Sequence, residues 1–169
     1  KMINCEHEDN KPCNECDNCL AMVSGSHPDI IEIDAASNNG VDEVRNLIEK
    51  VKYAPLKGKY KVYIIDEVHM MSTGAFNALL KTIEEPPAHV IFIFATTEPH
   101  KVLPTIISRC QRYDFTKISV NDMMERVKTG LDCENIKYEE EAIRLVCQLA
   151  DGGMRDAWSI VDQVISYSQ

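Results

Sequence analysis

No stretch of this chain approaches the roughly 20 consecutive apolar residues that a membrane-spanning helix needs, and no secretory-signal pattern opens it. No membrane partner is therefore expected. Positive charge is scarce as well. Lys and Arg number 18 against 27 Asp and Glu, for a formal net charge of −9 and a pI of about 5.0. Phosphate-backbone binding draws on clustered basic side chains, so this chain alone is expected to bind nucleic acid poorly. Its one basic cluster, Lys50, Lys52, Lys57, Lys59 and Lys61, reads as a solvated surface loop. Repeats and low-complexity segments are absent too. The first residue is Lys1 rather than Met, which points to an internal fragment. What is present is an ordinary globular composition, 44% hydrophobic and 27% charged over 169 residues, enough for a domain or a domain and a half with a buried core.

Seven cysteines could suggest a disulfide scaffold. Four of them, however, crowd into Cys5–Cys19, while Cys110, Cys133 and Cys147 are scattered through apolar or helical patterns. An odd total without a secretion signal fits a reducing compartment and a metal site, and a cytoplasmic protein is expected. Cys5, Cys13, Cys16 and Cys19 read C-x7-C-x2-C-x2-C. Four thiolates this close can close a tetrahedral shell around Zn²⁺. Residues 1–20 are polar and almost without apolar periodicity, and metal binding would supply the folding energy they lack. With no position left for water the zinc would be structural. His7 is an alternative ligand; disulfides or free thiols are the alternatives to a metal. Pro12-Cys13-x-x-Cys16 also echoes the zinc deaminases, whose first ligand is followed two residues later by a catalytic Glu. Here Cys5 is followed by His7 and His7 by Asp9, so deaminase chemistry is excluded.

Apolar periodicity organises the rest. Residues 29–34, 61–66 and 90–95 are strand-length apolar runs. Between them, Val44, Leu47, Ile48 and Val51, then Phe76, Leu79, Leu80 and Ile83, form helical stripes closed by Pro55 and by Pro86-Pro87. A short helical turn at 106–110 and a further strand at 111–115 are expected. Strand–helix alternation at this spacing predicts an α/β parallel sheet. Beyond a boundary near 116–119, three helical patterns (120–131, 139–150 and 154–168) predict a small all-helical domain.

The run Val62-Tyr63-Ile64-Ile65-Asp66-Glu67 carries two carboxylates at the C-terminal end of a strand, the edge that faces the ligand crevice in parallel sheets. Nucleoside triphosphate hydrolysis needs one carboxylate to hold Mg²⁺ and another to orient or deprotonate water. Since directions alternate along a strand, Asp66 and Glu67 split those roles only if the strand breaks there. Ala95-Thr96-Thr97 brings hydroxyls to the same edge. Ser108-Arg109-Cys110 could reach a neighbour's nucleotide, and Arg155, within Gly152-Gly153-Met154-Arg155-Asp156, could fold back over a nucleotide. Each alone is more often a solvated or salt-bridged residue.

Together these residues resemble a family. Asp66-Glu67-Val68-His69-Met70 resembles a Walker B box, and residues 76–87 are similar to the helix that follows it in clamp loaders. Ala95-Thr96-Thr97-Glu98-Pro99 resembles sensor 1, Ser108-Arg109-Cys110 the clamp-loader arginine-finger motif, and Gly153-Met154-Arg155-Asp156-Ala157 sensor 2. With the four cysteines, the set resembles the gamma/tau family of bacterial DNA polymerase III clamp loaders, AAA+ ATPases. The resemblance implies a partial AAA+ sheet domain (21–117) carrying an inserted zinc module (1–20) and followed by a three-helix lid (118–169). It implies that Asp66 holds Mg²⁺, Glu67 activates water, and Thr97, with Thr96 as the alternative, senses the γ-phosphate of ATP. Arg109 would act on the next subunit's ATP and Arg155 on its own. Implied partners are delta, delta-prime and further gamma/tau subunits, the sliding clamp, and primed DNA within the assembled complex. The family's phosphate loop, G-x-x-x-x-G-K-[ST], is not in this sequence, so the parent is expected to hydrolyse ATP and this piece is not. In the family's sheet the strand before that loop lies between the strands at 90–95 and 111–115, and its absence predicts either a closing of the gap by residues 111–115 or self-association. A non-hydrolysing delta-prime-like subunit and a zinc-stabilised interaction scaffold are the rival functions.

Overall fold

The computed structural model describes residues 1–9 and 11–168. The chain forms two compact units, Lys1–Arg112 and Tyr113–Gln169. In the first, β1 (Ile30–Asp34), β2 (Lys61–Asp66) and β3 (Val90–Phe94) make a parallel sheet in the order β1-β2-β3, with α1 (Asp17–Val23) before it, α2 (Val41–Val51) and α3 (Thr73–Glu84) between strands, and α4 (Pro104–Ile107) after it. The second holds α5 (Val120–Cys133), α6 (Glu140–Leu149) and α7 (Met154–Ser168).

Local signals account for the helix ends. Ser72 caps α3, its hydroxyl accepting the Ala75 N–H at 3.2 Å. Asp42 and Glu43 open α2 and Lys50 closes it, each sign matching the helix dipole. The buried stripes Val44, Leu47 and Val51 of α2 and Phe76, Leu79 and Ile83 of α3 pack on one face of the sheet. That face is built from cross-strand rows in register, Ile31–Tyr63–Phe92 and Ile33–Ile65–Phe94. The Tyr63 and Phe92 rings stack at 5.5 Å. On the opposite face Ile30, Val62, Ile64 and Ile93, with Ile3 and Met22 from the N-terminal segment, line a cleft of about 490 Å³.

The strand expected at 111–115 does not form, and among the described residues the sheet ends at β3. Tyr113 is 69% and Phe115 96% exposed. A strand exists through its ladder to a neighbour, and five residues of suitable propensity do not make one alone. Closure of the gap by this segment is therefore overturned. A second difference lies in the cysteine segment, where α1 forms although no helical period announces it; its start is fixed by Cys16, whose sulfur accepts the Cys19 N–H.

Polar side chains pin the N-terminal segment to the sheet. Asn4, 2% exposed, pairs with the Tyr60 backbone through both amide atoms, at 2.7 and 2.8 Å. His27 accepts the Asp29 N–H at Nδ1, leaving Nε2–H to face Asn18 Oδ1 of α1 at 3.3 Å. The fully buried Asp29 accepts three backbone N–H groups, from Leu56 at 2.6 Å and from Lys57 and Gly58 at 2.7 Å. Burial pushes this carboxyl up, but the three N–H bonds together outweigh it and hold it below the ordinary aspartate range. A depressed pKa stabilises the fold above the unfolded value, so the contribution is fully present above about pH 4 and is lost as pH falls through the folded value. Asp29→Asn turns one acceptor into a donor facing N–H groups and is expected to cost about 2–3 kcal/mol, with the gap to wild type narrowing in acid. Denaturant titration of both proteins at pH 7 and pH 3 checks this; an unchanged midpoint at pH 7 would count against it.

In the second unit Met123, Met124, Val127 and Leu131 of α5 meet Ile143, Val146 and Cys147 of α6 and Ala157 and Val161 of α7. Gly152 enters α7 at φ +85°, and a Cβ there would lie 2.6 Å from Lys117 Cβ, so both conformation and space call for glycine.

Candidate functional site

The four sulfurs of Cys5, Cys13, Cys16 and Cys19 come within 4.8 Å of one another, and all four are free thiols. A tetrahedral site with zinc–sulfur bonds of about 2.3 Å needs sulfurs about 3.8 Å apart, and Cys13 Sγ and Cys19 Sγ are 3.9 Å apart. Backbone N–H groups support the sulfurs, Cys16 N–H on Cys13 at 3.3 Å and Cys19 N–H on Cys16 at 3.4 Å. Burial pushes the Cys19 thiol up to about 11, while the Cys13 N–H holds the Cys5 thiol low. The cluster fits a soft divalent metal. Asn4, next to Cys5, ties it to the start of β2. Asp66 closes the same strand, about 17 Å away at 3.3 Å per residue. The cluster therefore lies toward the end of the sheet opposite the carboxylates.

At that other end β2 breaks abruptly. Glu67 takes φ 47° and ψ 43°, the left-handed region, which costs a residue with a Cβ about 1–2 kcal/mol. A continuing strand would send the two adjacent carboxylates to opposite faces of the sheet, and the turn breaks that alternation. The Asp66 carboxylate is exposed and accepts the Glu67 N–H at 2.9 Å. Asp34, its register partner on β1, instead spends its carboxylate on its own loop, accepting from the Ala36 N–H and the Ser37 hydroxyl at 2.8 Å.

The loop after β3 supplies hydroxyls to the same edge. Thr97 donates to Glu67 Oε2 at 3.1 Å. Thr96 is turned inward, its hydroxyl accepting the Glu98 N–H at 3.0 Å and lying 2.9 Å from His69 Nδ1. Thr97 is thus brought onto Glu67 and Thr96 onto His69, while Asp66 ends β2 one residue before Glu67. Arg109 stands after α4, its guanidinium 2.7 Å from both the Thr105 carbonyl and Glu84 Oε1. Arg155 is exposed in the first turn of α7, in the second unit. Spacing and motif assign no role to His69 or Glu98, although His69 stands within residues 66–70 and Glu98 within residues 95–99.

Comparison with known proteins bears on this arrangement. Residues 1–119 match the family model described as DNA polymerase III, delta subunit, and residues 122–169 match the clamp loader subunit, ATPase lid domain. The chain is 59% identical over 169 residues to DNA polymerase III subunit tau of Bacillus subtilis, covering 99% of this chain and 30% of that protein. It is 46% identical over 167 residues to subunit tau of Escherichia coli, covering 98% of this chain and 26% of that one. The chain thus spans less than a third of these relatives' length. Among solved structures, a gamma subunit-related protein of Thermotoga maritima aligns with TM-score 0.53 at 26% identity, over 74% of this chain and 43% of that one. The Thermotoga maritima RuvB branch migration motor aligns with TM-score 0.70 at 16% identity, over 88% of this chain and 48% of that one, a likeness of fold. No helix among the described residues is long and apolar enough to cross a membrane. The chain belongs to the DNA polymerase III clamp-loader subunit family, and over nearly its whole length it is similar to that family's tau and gamma subunits.

Proposed function

We propose that this chain is the magnesium-handling and neighbour-sensing part of a clamp-loader ATPase subunit, whose parent opens a sliding clamp and loads it onto primed DNA. The observation that carries the proposal is the cluster of Asp66, Glu67 and Thr97 at the C-terminal edge of a parallel sheet, with Thr97 bonded to Glu67. Asp66 is the ligand for Mg²⁺, and Glu67 orients the attacking water. Thr97, exposed beside Glu67, senses the γ-phosphate, whereas the hydroxyl of Thr96 is occupied within its own turn. Mg²⁺ supplies charge neutralisation at the phosphates when bound with ATP. Residues 1–20 form the zinc module, residues 21–117 belong to the AAA+ domain and residues 118–169 to the lid that carries Arg155. Partners are the other clamp-loader subunits, delta and delta-prime among them, and the clamp. A non-hydrolysing delta-prime-like role draws on the delta-subunit model that residues 1–119 match. The paired carboxylates and the tau and gamma relatives weigh against it.

Arg109 acts in trans. In the isolated chain its guanidinium rests on Glu84, an ion pair 38% and 45% exposed and so worth only about 1 kcal/mol or less. A neighbour's triphosphate outcompetes it readily. The test uses full-length protein in assembled complexes. Arg109→Ala should leave nucleotide binding intact and reduce hydrolysis about 10³-fold or more at the sites it faces. Full-rate hydrolysis at every interface in complexes mixed with wild-type neighbours would overturn the trans assignment.

A further inference from the structure

Glu67 meets the rest of the protein through one further side chain. The His69 side chain is 7% exposed and stands between two carboxylates. Its Nδ1 lies 3.2 Å from Glu67 Oε2, and its Nε2 lies 3.1 Å from Glu98 Oε2. The same Nδ1 is 2.9 Å from Thr96 Oγ1. Glu98 is held from outside by Lys101 at 2.7 Å, and its carboxyl lies below the ordinary glutamate range chiefly because of that lysine. His100 Nε2 stands farther off, 3.9 Å from Glu98 Oε1. The imidazole thus bridges the turn that carries Glu67 and the loop that carries Thr97.

We propose that His69 is a positioning residue for Glu67, locking the carboxylate that orients water to the γ-phosphate-sensing loop. The proposal rests on the role assigned to Glu67 above. Three features carry it. Glu67 has a left-handed backbone, φ 47°, that needs support from its surroundings. Its Oε2 takes two side-chain contacts, one from Thr97 and one from His69, so the carboxylate has little rotational freedom. The imidazole has an oxygen close to each ring nitrogen, with Thr96 hydrogen-bonded at Nδ1, and it is shielded from water. A rigid, buried ring defines where Glu67 points far better than an exposed flexible partner does. Hydrolysis depends on that aim, because a misplacement of about 1 Å can cost about 10²-fold in rate.

The two ring nitrogens are chemically separable. Asparagine at position 69 places an amide N–H near the Nδ1 position and reaches Glu67 and Thr96; glutamine places one near Nε2 and reaches Glu98. Full-length protein in the assembled clamp loader is assayed for kcat, KM and nucleotide affinity. Carboxyl footprinting with carbodiimide, read by mass spectrometry, reports the exposure of Glu67 independently of activity. Expected for His69→Ala are a kcat about 10- to 100-fold lower, unchanged KM and nucleotide affinity, and increased labelling at Glu67. Expected for His69→Asn is recovery of most of the rate and protection; expected for His69→Gln is neither. A full kcat in His69→Ala, unchanged Glu67 labelling, or rescue by glutamine rather than asparagine overturns the proposal. If instead Glu67→Gln retains the wild-type rate, the role assigned to Glu67 fails while the labelling still reports on the His69 contact, so the two failures are distinguishable.

Discussion

In the full-length protein, Glu67→Gln is expected to bind ATP nearly as well as wild type and to hydrolyse it about 10²–10⁴-fold more slowly. The substitution conserves size, so Thr97 and His69 keep an oxygen to meet at 3.1 and 3.2 Å. What disappears is the negative charge that orients and polarises water. Asp66 is untouched, and with it the ligand proposed for Mg²⁺, which is why binding survives. Single-turnover hydrolysis and equilibrium binding of a fluorescent ATP analogue separate the two effects. A parallel loss of both would mean that Glu67 holds metal or nucleotide rather than water. An unchanged rate would remove it from the chemistry.

Purified without chelator, the protein is expected to carry one zinc per chain, and removal of that zinc is expected to release the N-terminal segment. The cysteine segment owns little apolar core: Cys5, Cys16 and Cys19 are the buried members of their cluster, with Cys13 packed beside them. Structural zinc sites contribute about 10–16 kcal/mol of apparent binding free energy, well beyond what the Asn4–Tyr60 pairing supplies. Cys19→Ser, which replaces a fully buried thiol, should therefore lose the metal and become protease-sensitive in this segment, while the α2–α3 core persists. Because binding displaces thiol protons, affinity should fall as pH is lowered. Elemental analysis without zinc, or a Cys13–Cys16 disulfide in a crystal structure, would overturn the assignment.

Much of the architecture is written in short windows of sequence. Lys61–Asp66 is a strand within the limits expected from its β-branched run, and Val41 and Met154 start the helices that their stripes predict. The cysteine spacing likewise announces a cluster that the fold then assembles. Such features need only neighbours a few residues away, so periodicity and spacing report them. Residues 111–115 show the limit of this: their propensity is real, but a strand is a relation to a partner, and among the described residues the sheet ends at β3.

The polar contacts that organise the site follow a different rule. Asp29 reads as the first residue of an apolar run, yet its carboxylate is anchored to N–H groups 27 to 29 residues away. Asn4 meets Tyr60 across 56 residues, and His69 meets Thr96 across 27. No local pattern marks these residues, because a carboxylate or imidazole looks the same in sequence whether solvated or enclosed. The amino-acid order contains the three strands, the helices other than α1, the thiol cluster and the motif residues, since each depends on local spacing. Which polar groups meet, how the chain turns at Glu67, and where the sheet stops depend on segments brought together from far along the chain. There, a buried donor or acceptor must find a partner or lose about 1–3 kcal/mol.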